Sequence, residues 1–184
     1  MLMDSAIAGL LGAIIGASAG ILGSIVTSHL QLKLEEEKTR LAQVSAVSSE
    51  LRAEIKVTAQ YMLSLQHSME WVCWLATKDE ALPDDETVAQ YHKEIHETIP
   101  KLLGALAAVS SFDQTFYDEL APLADQLFSL DGQIADALVR YKAPPERAAV
   151  IKDFYPEATK FYKKLPRQLS DIQKRVIESR KLDG

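Results

Sequence analysis

An uncharged stretch near the N-terminus is the feature that most constrains what this chain can fold into. Between Ser5 and Ser28 there is no Asp, Glu, Lys or Arg, over a run of 24 residues. A helix rises about 1.5 Å per residue, so a run of this length crosses the roughly 30 Å hydrocarbon layer of a bilayer. The sequence therefore predicts a transmembrane helix over residues 1–29.

Glycines inside this stretch follow a helical spacing. Steps of three and four residues place them along one side of a helix, where a neighbouring backbone can approach closely and gain van der Waals contact. Gly12, Gly16 and Gly20 form two overlapping GxxxG units. The pattern predicts that the span self-associates through five glycines: Gly9, Gly12, Gly16, Gly20 and Gly23.

A cleaved signal peptide is the competing interpretation of the same segment. Ala17-Ser18-Ala19 has the small-x-small form of a cleavage site. Two features favour a retained helix: no Lys or Arg precedes the apolar run, and the run continues beyond this site through Ile25 and Val26.

The basic residues around the span predict its orientation. Lys33, Lys38 and Arg40 follow it, whereas no Lys or Arg precedes it. Cytoplasmic flanks of membrane helices are enriched in Lys and Arg, so we expect the N-terminus outside and the C-terminal part in the cytoplasm.

A heptad-like seam continues after the span. Starting at Leu30, alternating steps of four and three residues reach mostly apolar positions as far as Ala76, and no proline interrupts them before Pro83. Such a seam indicates a coiled-coil or bundle helix. We predict a stalk over residues 30–58 and a cytoplasmic helical bundle over 59–184. The stalk seam comprises Leu34, Leu41, Val44, Leu51 and Ile55.

Further helical stripes predict that the soluble part is an all-α, up-and-down four-helix bundle. Acidic residues after Pro83 open a second helix, with a kink or break expected at Pro100. The segment 111–114 has the form of a capping box opening a third helix, which Asp131-Gly132 could interrupt. Pro144-Pro145 ends it, and a fourth helix follows, bent by two further prolines.

Trp71 and Trp74 are expected in the core, with a ligand pocket as the alternative.

Composition excludes several functional classes. A net charge of -6 gives no general attraction to nucleic acid. Cys73 is the only cysteine, so neither an intramolecular disulfide nor a multi-cysteine metal site can form. No nucleophile elbow and no glycine-rich phosphate loop is present, so we expect no enzymatic activity and no cofactor.

His92 and His96 stand one helical turn apart, a spacing that can present two imidazoles to a metal ion. The intervening glutamate does not fit the zinc-protease patterns, and the sequence offers no third ligand. We therefore interpret the pair as part of a solvated helix face, and no metal site is predicted.

The C-terminal helix is cationic, whereas the preceding helices are acidic. Charge complementarity within the bundle or between subunits is the simpler explanation. The alternative is a face for anionic lipid headgroups or an acidic partner. That face would comprise Lys160, Lys163, Lys164, Arg167, Lys174 and Arg175.

Together these features predict a membrane-anchored, self-associating interaction protein, a scaffold or sensor that presents its bundle to a cytoplasmic protein partner. The expected partners are membrane lipid, further copies of the chain and that protein. The alternative is an oligomeric pore-forming or membrane-permeabilising effector of antiviral or toxin type, in which several copies of the span form a ring.

Overall fold

The computed structural model describes the backbone of residues 2–179 and the side chains of residues 27, 28 and 30–176. Within this part the chain is helical and contains no strand, which confirms the all-α prediction. The helices are α1 (Leu2–Lys78), α2 (Asp85–Phe112), α3 (Gln114–Arg140), α4 (Pro144–Ile151) and α5 (Tyr155–Ser179), with a 3-10 turn at Lys152–Phe154 between α4 and α5.

The chain divides into two compact units, residues 1–48 and residues 49–184. The second unit begins inside the range that the sequence analysis assigned to the stalk. It is a helical bundle, as predicted, and the apolar core of the described residues lies within it, from Leu51 to Val176.

Contacts between helices show how the bundle is ordered. Ser68, near the end of α1, donates to Glu94, near the start of α2. Tyr91, early in α2, donates to Asp131, late in α3. Consecutive long helices therefore run in opposite directions. The short connections, residues 79–84 and residue 113, fit this arrangement.

The remaining long helix closes the bundle. Arg175, near the end of α5, pairs with Glu119, near the start of α3. Gln66 of α1 donates its side-chain amide to the carbonyl of Ala158, early in α5. Helix α5 is thus antiparallel to both α3 and α1.

Three of the described helices contain an internal proline. Helix α2 continues through Pro100 without a break, and Pro122 and Pro166 also lie inside helices. All three have exposed side chains, so the helix faces that lose a hydrogen bond are turned toward water, which can satisfy the freed carbonyls.

Three other local predictions need correction. Helix α3 begins after Asp113, whose carboxylate caps the Thr115 N–H, and the proposed capping serine, Ser111, belongs to α2. Asp131-Gly132 does not interrupt α3. The fourth predicted helix is divided into α4, the 3-10 turn and α5.

Candidate functional site

Four apolar residues of the predicted stalk are exposed along one side of α1. Leu34, Leu41 and Val44 are 55%, 54% and 50% exposed, and Leu30 is equally open. They occupy four of the five positions that steps of four and three residues reach from Leu30 to Val44, and the fifth is Glu37, so the four share one helix face. We call the set the exposed seam: Leu30, Leu34, Leu41 and Val44.

The same steps continue into the second unit, where every position is buried. Leu51 and Ile55, which the sequence analysis grouped with the stalk, are both fully covered. We call this set the core seam: Leu51, Ile55, Thr58, Met62, Leu65, Met69, Val72 and Ala76. The predicted stalk seam is therefore split between an exposed part and a covered part.

Leu32 provides an internal reference for the exposed seam. It is 57% exposed, similar to Leu34 and Leu41. Its sequence position places it on the opposite side of α1, about 180° from the centre of the seam. A Leu32 variant therefore shows the effect of replacing an equally exposed leucine that lies outside the seam.

The predicted transmembrane contact residues, Gly9, Gly12, Gly16, Gly20 and Gly23, lie outside the residues whose side chains the structure describes. Among the described residues, no helix combines the length and apolarity needed to cross a membrane.

The six cations predicted to form an anion-binding face divide into two groups. Lys174 pairs with Asp171, with 3.6 Å between Nζ and Oδ1, and Arg175 pairs with Glu119 at 2.5 Å. In the described part of the chain, the other four make no ion pair and are exposed: Lys160, Lys163, Lys164 and Arg167.

These four cations border two adjoining open hollows beside α5. The first, of about 630 Å³, is lined by Lys163, Lys164, Arg167 and Gln168. The second, of about 520 Å³, lies between α3 and α5 and shares Lys164 and Gln168 with the first. Its remaining lining residues are Gln126, Pro156, Glu157, Lys160 and Phe161.

A buried polar pair crosses the bundle between α2 and α3. The Tyr91 hydroxyl donates to Asp131 Oδ1 over 2.6 Å, and Tyr91 is fully buried. Burial raises the pKa of Asp131, while the hydrogen bond from Tyr91 and the nearby His92 and His96 act in the opposite direction. Burial and the neighbouring Asp131 raise the pKa of Tyr91. The pair therefore favours a protonated phenol.

Arg147 is a second polar group that sequence reasoning missed. Its side chain is only 5% exposed and pairs with Asp85 at 2.7 Å. It also donates to the backbone carbonyls of Tyr141 and Pro83. One guanidinium thus joins the connection before α2 to the connection after α3. No helical periodicity marks such a contact, because its partners are backbone atoms far away in the sequence.

Asp131 did carry a sequence signal. It stands four residues after Leu127 and three before Ile134, so it occupies a core position of the α3 stripe. A carboxylate at such a position needs a hydrogen-bond partner. The glycine that follows it suggested a helix interruption instead.

The histidine pair belongs to no larger cluster of potential metal ligands in the described part of the chain, and the two tryptophans differ in burial. The rings of His92 and His96 are 6.5 Å apart, and no group of three or more potential metal ligands occurs among the described residues. Trp71 is half-buried. The core prediction was wrong for Trp74, which is 38% exposed and has the Lys78 ammonium 5.6 Å from its ring.

Comparison of the chain with protein-family models, with curated proteins and with solved structures finds no match.

Proposed function

We propose that this chain is a single-pass membrane protein whose copies associate through the exposed seam and present the bundle to a cytoplasmic partner. The exposed seam carries the proposal. Its leucines and valine have the spacing of a coiled-coil core, yet no helix of the described chain covers them. The proposed occupant of this face is a second copy of the same helix.

Energetics and tethering favour association. Complete burial of one leucine or valine is worth about 1.5–3 kcal/mol, and each seam residue still exposes about half of its surface. Four such residues per copy offer a few kcal/mol. A shared bilayer would raise the effective concentration of the copies, so a modest interface is sufficient.

The membrane part of the proposal rests on the uncharged run and its glycine spacing. In lipid, the helical backbone satisfies its own polar groups, and the glycines permit close helix contact. A spanning helix ending near residue 29 would place all copies of the seam in parallel and at the same height. Span and seam therefore support the same oligomer.

Membrane insertion is tested by fractionation. We expect the intact chain in the membrane pellet after extraction with alkaline carbonate, which releases peripheral proteins. An uncleaved chain in the supernatant would contradict the transmembrane helix. A chain shortened near Ala19 would support the signal-peptide interpretation instead.

Self-association is tested with two matched substitutions. We expect Leu41→Asp to reduce the oligomer mass in detergent, measured by light scattering, because it replaces a seam leucine with a second carboxylate four residues after Glu37. Leu32→Asp introduces the same charge on the opposite face and should leave the mass unchanged. Equal effects of the two variants, or none, would contradict the seam. Dye release from liposomes containing the wild-type chain would favour the pore over the scaffold.

A further inference from the structure

The four unpaired cations of α5 stand on one helix face. Their positions, 160, 163, 164 and 167, follow the i, i+3, i+4, i+7 spacing of neighbours on a helix surface. The first and the last are seven positions apart, which is about 10 Å along the axis. The four positive charges are therefore concentrated over two turns, and the described structure gives them no carboxylate partner.

The surroundings of these cations add hydrogen-bond donors and a concave shape. Gln126 and Gln168, whose side chains carry amide donors, are among the residues that line the hollow between α3 and α5, together with Lys160 and Lys164. Glu157 lines the same hollow and is the one acidic residue among its lining residues. The adjoining hollow is lined only by Lys163, Lys164, Arg167 and Gln168.

From this arrangement we propose that the groove beside α5 binds a ligand with several phosphate groups. A phosphate presents several acceptor oxygens and more than one negative charge, which suits two or three ammonium groups and a guanidinium at once. A single carboxylate would neutralise only one of the four cations, whereas a chain of phosphates can follow the 10 Å row. The proposal is independent of self-association.

Lys174 provides a matched control on the same helix. It is an exposed lysine like Lys163 and Lys164, but it already pairs with Asp171 and lines none of these hollows. If the site is local, Lys174 should contribute little. If binding reflects only the general charge of α5, Lys174 should contribute as much as the others.

The test is calorimetric titration of the full-length protein in detergent with sodium tripolyphosphate at low salt. We expect Lys163→Gln/Lys164→Gln to weaken binding at least tenfold and Lys174→Gln to change it less than twofold. Glu157→Gln should strengthen binding, because it removes the opposing carboxylate. Circular dichroism confirms that each variant is folded.

A second arm separates a soluble ligand from a lipid headgroup. Native mass spectrometry of the same proteins with cardiolipin, a lipid whose headgroup carries two phosphate groups, counts the bound lipids. Lipid adducts that disappear in Lys163→Gln/Lys164→Gln, without binding of tripolyphosphate, would support the site with lipid as its phosphate source. Binding of neither probe, or equal losses in the double variant and in Lys174→Gln, would overturn the proposal.

Discussion

The two parts of the seam in α1 have the same spacing and opposite environments. In the exposed seam, leucines such as Leu34 and Leu41 keep about half of their surface in solvent, whereas Leu51 and Leu65 of the core seam are fully buried. The difference lies in which helices pack against them. Periodicity identifies the helix face that is to be buried, but other helices of the same molecule or of a partner must pack against that face to bury it.

The covered part shows what the rest of the chain provides. Gln66 of α1 bonds to the backbone of α5, and Ser68 bonds to α2. These polar contacts flank the core seam and orient its apolar residues against the neighbouring helices. In the exposed part, a sister copy would have to supply this cover.

The largest expected effect comes from truncating leucine in each part. Leu65→Ala should lower the free energy of unfolding by about 2–5 kcal/mol, because it leaves a cavity in the core. Leu41→Ala should change the unfolding of the dissociated chain by less than about 0.5 kcal/mol, as at other surface positions. Urea denaturation of both variants at low protein concentration measures the difference, and equal losses would remove the contrast between the two parts.

A somewhat smaller effect on stability is expected from Arg147, whose side chain joins two connections of the bundle. Arg147→Met removes the contacts with Asp85, Tyr141 and Pro83 while keeping much of the side-chain volume. The loss should be about 2–3 kcal/mol, because the buried Pro83 carbonyl and the half-buried Tyr141 carbonyl lose a charged donor. The same denaturation experiment measures it, with Arg140→Met as the control at an exposed ion pair. A loss no greater than that of the control would contradict the role of Arg147.

Asp131 predicts a pH dependence that belongs to the covered unit. Its pKa in the folded chain lies above the usual 3.8, mainly because of burial. Between these two values the folded state binds more protons than the unfolded state, so the free energy of unfolding falls as pH rises through that window. Asp131→Asn should remove this pH dependence, because an amide does not titrate. Its amide oxygen can still accept the hydrogen bond from Tyr91, so the fold should be kept. An unchanged pH profile of unfolding in this variant would contradict the assignment.

The smallest structural perturbation is chemical labelling. Burial, assisted by the charge of Glu70, raises the pKa of Cys73 to about 12, so its thiol stays protonated and covered at pH 8. We expect native Cys73 to resist iodoacetamide and the introduced thiol of Leu32→Cys, at an exposed position outside the seam, to react readily. Mass spectrometry of the alkylated Leu32→Cys protein distinguishes the two sites. Rapid labelling of Cys73 would contradict its buried position.

Much of the fold follows from apolar spacing, because spacing reports the side of a helix that must leave water. The stripes of α2 and α3 were predicted in this way, and residues such as Leu102 and Leu127 are buried as that pattern requires. Breaks were predicted less well. Proline chemistry indicated a kink or a short break at Pro100, but α2 has no break there, because water can satisfy the freed carbonyl at an exposed position.

The polar contacts were harder to predict than the apolar core. The partner of Asp131 is 40 residues away, and one acceptor of Arg147 is 64 residues away. Nothing in the local sequence specifies such partners. Likewise, six cations were predicted from the sequence to share one face. The structure shows that two of them are paired, Lys174 with Asp171 and Arg175 with Glu119, whereas the other four border the hollows.

Cysteine cross-linking in cell membranes tests most directly whether sister copies cover the exposed seam. Val44→Cys should form an intermolecular disulfide on mild oxidation, because equivalent seam positions face each other in a parallel assembly. Leu32→Cys, on the opposite face, should give no cross-linked band, and buried Cys73 should not compete. A cross-linked band with Val44→Cys alone is the predicted result. No band with Val44→Cys, or bands of equal intensity with both variants, would contradict self-association through this seam.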